Sequence, residues 1–310
     1  MRVHSNSTGA RAYFTIATSR RVAVRLQGLA GVGLLIVALL FGGCAPLKIY
    51  NALAPSDTGG ILIKSDAAYG SLPRQHLDVY APANGAKAAP VVVVIYGGSW
   101  NSGSKADYAF LGKALASRGF VAMVIDYRLV PEVRFPAFLE DCARAVVWAR
   151  DNAGQFGGDP GRLFLLGHSA GAYNAVMIAL DAHYLAAFGA GPTTIRGLAA
   201  LAGPYDFLPL DVESTVQAFG HAKDLSLTQP INFVSHTTPA MFLATGADDT
   251  TVYPRNTFGL AEKLRRAGNS VEVRSYPGLG HVDILLALSV TFRGKAPVLD
   301  DVVQFINGRR

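Results

Sequence analysis

The chain has 310 residues, half of them hydrophobic, with 28 Lys and Arg against 22 Asp and Glu. This composition excludes a disordered or fibrous protein and supplies core for one large α/β domain or two small ones. The net charge of +6 is local: Arg2, Arg11, Arg20, Arg21 and Arg25 precede residue 44 with no Asp or Glu among them, and removing those five from the 28 leaves 23 basic residues beside 22 acidic ones, so nothing suggests nucleic-acid binding.

Residues 1–43 read as a signal peptide of lipoprotein type. The arginines are followed by a stretch without charge from Leu26 to Leu47, and Leu40-Phe41-Gly42-Gly43-Cys44 places small residues just before a cysteine. That arrangement resembles the lipobox of bacterial lipoproteins, and the resemblance implies a leader cut before Cys44, which would then carry lipid. An uncleaved membrane anchor is the alternative, because an uncharged run of that length spans a bilayer. Either reading puts the rest of the chain in the periplasm or outside the cell, attached to a membrane. Residues 44–59 are expected to be a tether and residues 60–310 a single catalytic domain. With Cys44 lipidated, Cys142 has no disulfide partner; it lies in an amphipathic helical pattern and reads as a buried structural thiol.

Beyond the tether, short apolar strands alternate with helical stretches. Arg74–Tyr80 alternates like an early antiparallel strand. Pro90–Tyr96 is a β-branched run suited to a strand buried on both faces. Ala106–Arg118 is helical in pattern and stopped by Gly119. Val121–Asp126 is a strand, Pro136–Asn152 a helix and Arg162–Gly167 a strand. Leu198–Ala202, Ala240–Thr245 and Val271–Tyr276 complete the strands, and Asn256–Ala267 and Val298–Ile306 read as helices. Pro204–Thr238 is irregular and mixed, suited to walling a site or to plain connection. The alternation predicts an α/β fold with a mostly parallel central sheet and helices on both faces.

Gly167-His168-Ser169-Ala170-Gly171 stands between a strand and a helix. Strand, G-x-S-x-G, helix is the setting of a nucleophile elbow, where a tight turn lifts a serine above the sheet and excludes bulk two residues to either side. A serine hydroxyl needs a base to take its proton and a carboxylate to orient that base. Candidates follow at two later strand ends, Gly246-Ala247-Asp248-Asp249 and Pro277-Gly278-Leu279-Gly280-His281, where open α/β sheets place their sites. After Pro90–Tyr96, Gly97-Gly98-Ser99-Trp100 lets backbone N–H groups approach a substrate. Gly98, Ser99 and Ala170 are the expected oxyanion donors, and Gly97 and Trp100 the expected substrate contacts, with a packing role the equal alternative for Trp100. No His, Cys or Asp cluster has metal-ligand spacing and no glycine pattern suits a dinucleotide or phosphate, so no metal or cofactor is expected. His76, His168, His183, His221 and His236 read as structural or non-catalytic, and Asp126, Arg128 and Asp141 as structural partners. Asp283 is placed to bind the start of a helix beginning near His281.

These motifs resemble the α/β-hydrolase superfamily, in its esterase and lipase group. The nearest resemblance is to bacterial carboxylesterases related to hormone-sensitive lipase, kynurenine formamidase and prenylcysteine methylesterase. It is carried by Tyr96-Gly97-Gly98-Ser99-Trp100, Asp126-Tyr127-Arg128-Leu129 with Phe135-Pro136-Ala137, Gly157-Gly158-Asp159-Pro160, the Ser169 elbow, Gly246–Val252 and Gly280-His281, and it covers roughly residues 60–308. The resemblance implies an α/β-hydrolase fold and a serine esterase acting on a small-molecule ester. It implies Ser169 as nucleophile and His281 as base. Asp249 becomes the acid, lying in a G-x-x-D-x-x-V pattern from Gly246 to Val252, with Asp248 as the fallback. Tyr96 departs from the pattern, since many relatives carry His there. An arylformamidase-type amidase is the alternative enzyme, and a non-catalytic envelope lipoprotein on the same fold is the alternative outside enzymes.

Overall fold

The structure, a computed structural model, describes residues 50–309, Ala52 excepted. The leader over residues 1–43 and Cys44 lie outside the described residues. Among the described residues, no helix is long and apolar enough to cross a membrane.

The strands are β1 (Gly60–Ala68), β2 (His76–Pro82), β3 (Ala89–Ile95), β4 (Val121–Ile125), β5 (Gly158–His168), β6 (Gly197–Leu201), β7 (Ala240–Gly246) and β8 (Val271–Tyr276). The α-helices are α1 (Ala109–Ser117), α2 (Ala137–Asn152), α3 (Ala170–Leu180), α4 (His183–Ala186), α5 (Glu213–Phe219), α6 (Arg255–Arg266), α7 (His281–Leu286) and α8 (Val298–Asn307). The strands form one sheet in the order β1-β2-β4-β3-β5-β6-β7-β8. β1 and β2, and β2 and β4, pair antiparallel; the rest is parallel.

The central strands are buried along their whole length because their residues suit it. Val91–Ile95 and Val121–Ile125 have no exposed side chain, and β-branched side chains with restricted rotamers pack well on a pleated surface covered from both sides. β1 was not expected from the sequence. It is an edge strand with exposed Ile61, Leu62 and Ile63 and two irregularities in its pairing with β2, so it lacks both the apolar run and the clean alternation that mark a strand. β5 starts four residues earlier than predicted, because Gly158 and Asp159 pair with Ala89 and Pro90 ahead of a bulge.

From β3 the chain crosses to β4 on one side, then returns past β3 to β5 on the other. Right-handed crossovers in opposite directions send their helices to opposite faces. α1 thus shares a face with α8, to which Arg118 is paired through Asp300 at 2.6 Å, while α2 and α3 pack together on the other. β3 and β5 flank the point where strand order reverses, and the crevice beyond their carboxyl ends is where such sheets bind ligands.

Residues 50–59, expected to be a tether, are instead packed on the domain. Tyr50 is 1% exposed; its ring lies against Phe110 and Phe292, and its hydroxyl donates to Ser289 Oγ at 2.7 Å. The Asn51 side chain accepts from the Phe110 N–H and donates to the Ala106 and Asp107 carbonyls. Asp57 holds Arg293 through both carboxylate oxygens, at 3.0 and 2.9 Å. An aromatic ring with this much to bury, beside groups that satisfy a helix start, stays docked.

Candidate active site

Ser169 follows β5 in a backbone conformation that side chains rarely adopt, φ 55° and ψ −122°, a strain of order 1–3 kcal/mol. Its N–H is tied to the Leu201 carbonyl at 2.9 Å. The flanking glycines are required by close approach. A Cβ on Gly167 would stand 2.3 Å from the Gly171 carbonyl oxygen, and one on Gly171 would stand 2.0 Å from that of Ile95. The turn therefore brings α3 down onto the end of β3 and leaves the Ser169 hydroxyl pointing into open space above the sheet.

His281 is the first residue of α7. Its Nε2 is 2.9 Å from Ser169 Oγ and its Nδ1 is 2.8 Å from Asp249 Oδ2. Asp249 follows β7 and is 2% exposed, with its other oxygen accepting the Thr251 and Val252 N–H groups at 2.9 Å each. Burial pushes this carboxyl up, but the hydrogen bond and charge of His281, with those two N–H groups, outweigh it and hold the carboxyl below the usual aspartate value. Asp248, the fallback acid, is exposed and does not meet His281. The Asp283 carboxylate accepts the Gly280 N–H at 3.0 Å and so caps α7.

The loop after β3 carries three successive positive φ values, at Gly98 (126°), Ser99 (51°) and Trp100 (59°). Gly98 is held there by close packing, because a Cβ would stand 2.3 Å from the Ser102 carbonyl oxygen. Among the described residues the N–H groups of Gly98, Ser99 and Ala170 meet no acceptor. That leaves three donors on the loop and helix start beside Ser169. Tyr96 stays behind the loop: its ring stacks on Tyr127 at 4.5 Å, and its hydroxyl accepts from Arg74 at 2.5 Å.

Ser99, Ser169 and Ala170 open into a cleft of about 400 Å³, within the range of small-molecule sites. Trp100, Phe207, Val212 and Tyr253 form its apolar wall, and Leu208, Val212 and Tyr253 are exposed. The stretch Pro204–Thr238 therefore walls the site, and within it lies a helix, α5, that its mixed composition did not signal. Trp100 is fixed by its N–H bond to Asn174 Oδ1 at 3.1 Å and by edge contacts with Phe219 and Tyr173, so it packs and lines the cleft at once. Gly97, expected to touch substrate, does not line it. Gly97 lies beneath the nucleophile, where a Cβ would stand 2.9 Å from the His168 carbonyl oxygen.

Asp141 grips Arg128 through both oxygens, at 2.7 and 2.8 Å, and Asp126 accepts the Lys105 N–H at 2.7 Å; both serve the scaffold. Cys142 is buried and unpaired, and burial pushes its thiol well above its ordinary value. His76, His183, His221 and His236 bond to groups away from the cleft. His168 is different. It lies 5.0 Å from His281, ring to ring, and its Nε2 is 3.0 Å from the His281 carbonyl. Burial, then repulsion from His281, lowers it to about 3, so it is neutral. Its place beside the nucleophile in sequence was the available signal, and the turn alone does not tell where its ring goes.

Sequence and fold both have counterparts among known proteins. The BD-FAE family model matches residues 77–264. A probable isoprenylcysteine alpha-carbonyl methylesterase of Oryza sativa is 28% identical over 259 residues, which is 77% of this chain and 62% of that protein. Esterase LipC of Mycobacterium tuberculosis is 31% identical over 236 residues, 69% of this chain and 58% of that protein. The chain thus spans about three fifths of the length of the curated relatives it matches. Among solved structures, Esterase B of Lactobacillus rhamnosis has a TM-score of 0.75 at 20% identity, covering 92% of this chain and 96% of that one. A truncated carbohydrate esterase from gut microbiota has a TM-score of 0.71 at 21% identity, covering 82% and 98%. At these identities the likeness is one of fold, the α/β-hydrolase fold.

Proposed function

Since the chain belongs to the BD-FAE family, whose model spans most of its sheet, we propose that it hydrolyses carboxylic esters through an acyl-enzyme on Ser169. One observation carries this reading: the hydrogen-bonded line from Ser169 Oγ to His281 Nε2 at 2.9 Å and from His281 Nδ1 to Asp249 at 2.8 Å, with Ser169 lining the cleft.

Ser169 Oγ attacks the ester carbonyl carbon and its proton passes to His281 Nε2. The N–H groups of Gly98, Ser99 and Ala170 receive the negative charge that forms on the carbonyl oxygen, each such donor being worth about 10²–10³ in rate. Collapse breaks the ester bond, and the departing alcohol takes the proton from Nε2. Water then attacks the acyl-serine with His281 again as base, which releases the acid and restores Ser169. Asp249, kept ionised by its hydrogen bonds, holds the proton on Nδ1 and stabilises the imidazolium. Trp100 and the 204–215 wall enclose the substrate. Basic residues ahead of an uncharged stretch, and Cys44 at its end, support export of this domain and its attachment to a membrane.

The test is hydrolysis of p-nitrophenyl acetate, butyrate and octanoate by the full chain and by Ser169→Ala. The parent cleaves at least one ester, and the variant loses the activity. A folded parent inactive on all three, or a variant as active as the parent, overturns the proposal. Faster cleavage of an aryl formamide than of its matched ester would move the chain to the amidases.

A further inference from the structure

A buried chain of hydrogen bonds runs behind the site and plays no part in the proton transfers above. The Gly97 N–H donates to Tyr108 Oη at 3.0 Å. Tyr108 Oη is 3.0 Å from His168 Nδ1, and His168 Nε2 is 3.0 Å from the His281 carbonyl. Tyr108 and His168 are 3% and 5% exposed, so water does not stand in for these partners.

The two ends dictate every proton between them. An amide N–H only donates and a carbonyl only accepts. His168 must therefore carry its hydrogen on Nε2, leaving Nδ1 to accept, and Tyr108 must give its hydroxyl proton to Nδ1. This order exists only for a neutral imidazole. A protonated His168 would donate from Nδ1 as well, making Tyr108 Oη accept twice and stranding its own hydrogen.

Building on the esterase reading, we propose that His168 and Tyr108 are positioning residues that lock the backbone of the base to the backbone of the oxyanion loop. His281 is gripped twice by neighbours in sequence: Ser169 meets its ring, and the His168 side chain meets its carbonyl. At the other end, Tyr108 fixes the peptide N–H of Gly97, one residue before the donors Gly98 and Ser99. The distance between base and donors is thus set by three short bonds and two stiff aromatic rings. Displacements near 1 Å in such a site cost about a hundredfold in rate. Neither residue touches substrate, so the effect belongs in kcat and not in KM.

The experiment compares full-chain parent, His168→Leu, His168→Gln, Tyr108→Phe and the double variant His168→Leu/Tyr108→Phe, with Ser169→Ala as reference, by kcat, KM and thermal midpoint. His168→Leu is expected to lower kcat about a hundredfold and Tyr108→Phe about tenfold, with KM within about twofold. His168→Gln keeps an amide N–H near the place of Nε2–H and restores kcat to within about fivefold of the parent. The double variant is no worse than His168→Leu, because both break one chain. Folded variants with kcat within about twofold of the parent, losses confined to KM or to the thermal midpoint, or a double variant that multiplies the single losses would each overturn the proposal. If His168→Leu does not fold, Tyr108→Phe, which removes one oxygen and keeps the ring, decides by the same criteria. Ser169→Ala as active as the parent would instead sink the esterase reading, whatever the positioning variants do.

Discussion

Replacing Asp249 by Asn tests the site most sharply, because shape is kept and one proton moves. The buried carboxylate takes three hydrogen bonds, from His281 Nδ1 at 2.8 Å and from the N–H groups of Thr251 and Val252 at 2.9 Å. The two backbone donors fix which oxygen the amide keeps, so its NH₂ turns toward His281. Two donors cannot face each other, and the imidazole must shift its hydrogen to Nε2. The nitrogen 2.9 Å from Ser169 Oγ then carries a proton and takes none. A wrong-tautomer triad loses about 10⁴ in kcat, or about 5 kcal/mol of barrier at 1.36 kcal/mol per decade. The assay is kcat on the best p-nitrophenyl ester, with folding checked by the thermal midpoint and Asp248→Asn as the control at an exposed neighbour. Asp249→Asn retaining more than a tenth of the parent kcat, or Asp248→Asn falling as far, would refute the reasoning.

Acid stability depends on His168. Its ordinary value of 6.5 is lowered to about 3, so below pH 6.5 the unfolded chain gains a proton that the folded chain refuses until about pH 3. Stability present above 6.5 is lost progressively over that window, by up to about 1.4 kcal/mol per pH unit. Urea midpoints measured from pH 7 to 4 should flatten in His168→Gln; parallel curves for parent and variant would contradict this. Gly171→Ala places a Cβ 2.0 Å from the Ile95 carbonyl oxygen and is expected to cost about 2 kcal/mol or more together with activity. Gly154→Ala, with nothing within 4 Å, should stay within about 0.5 kcal/mol in the same urea titration. Trp100→Ala empties a buried aromatic cluster with Phe219, Tyr173 and Phe138 and should destabilise by about 3–5 kcal/mol; a loss below 1 kcal/mol would show that the ring is not part of the core.

Where burial or turn geometry is written locally, the sequence was enough. Pro-Val-Val-Val-Val-Ile-Tyr admits little but a central strand, since β-branched residues in an unbroken run have no solvent face to offer. Gly-His-Ser-Ala-Gly between a strand and a helix announces its turn, because only glycine tolerates contacts of 2.0 and 2.3 Å at the Cβ position. The same turn chemistry singled out Ser169 and set His281 among the candidates at a strand end, and the family resemblance then picked His281 as the expected base. β1 escaped notice because an exposed, irregular edge strand shows no period, and residues 50–59 passed for a tether because the Tyr50 partners, Phe110 and Ser289, are far away in the chain.

At the site, local pattern left gaps that tertiary structure fills. The resemblance preferred Asp249 to Asp248 on one turn; the packing of β7 against the turn before α7 buries Asp249 beside His281 and leaves Asp248 in water. His168 is a turn residue by sequence, and becomes the link between base and oxyanion loop only because the fold brings Tyr108 from 60 positions before it and the His281 carbonyl from 113 positions after it to its two nitrogens. A local pattern records which residues must be buried and which turns are sterically open. Which buried donor meets which acceptor is decided by strand order and crossover, and that information is spread over the whole chain.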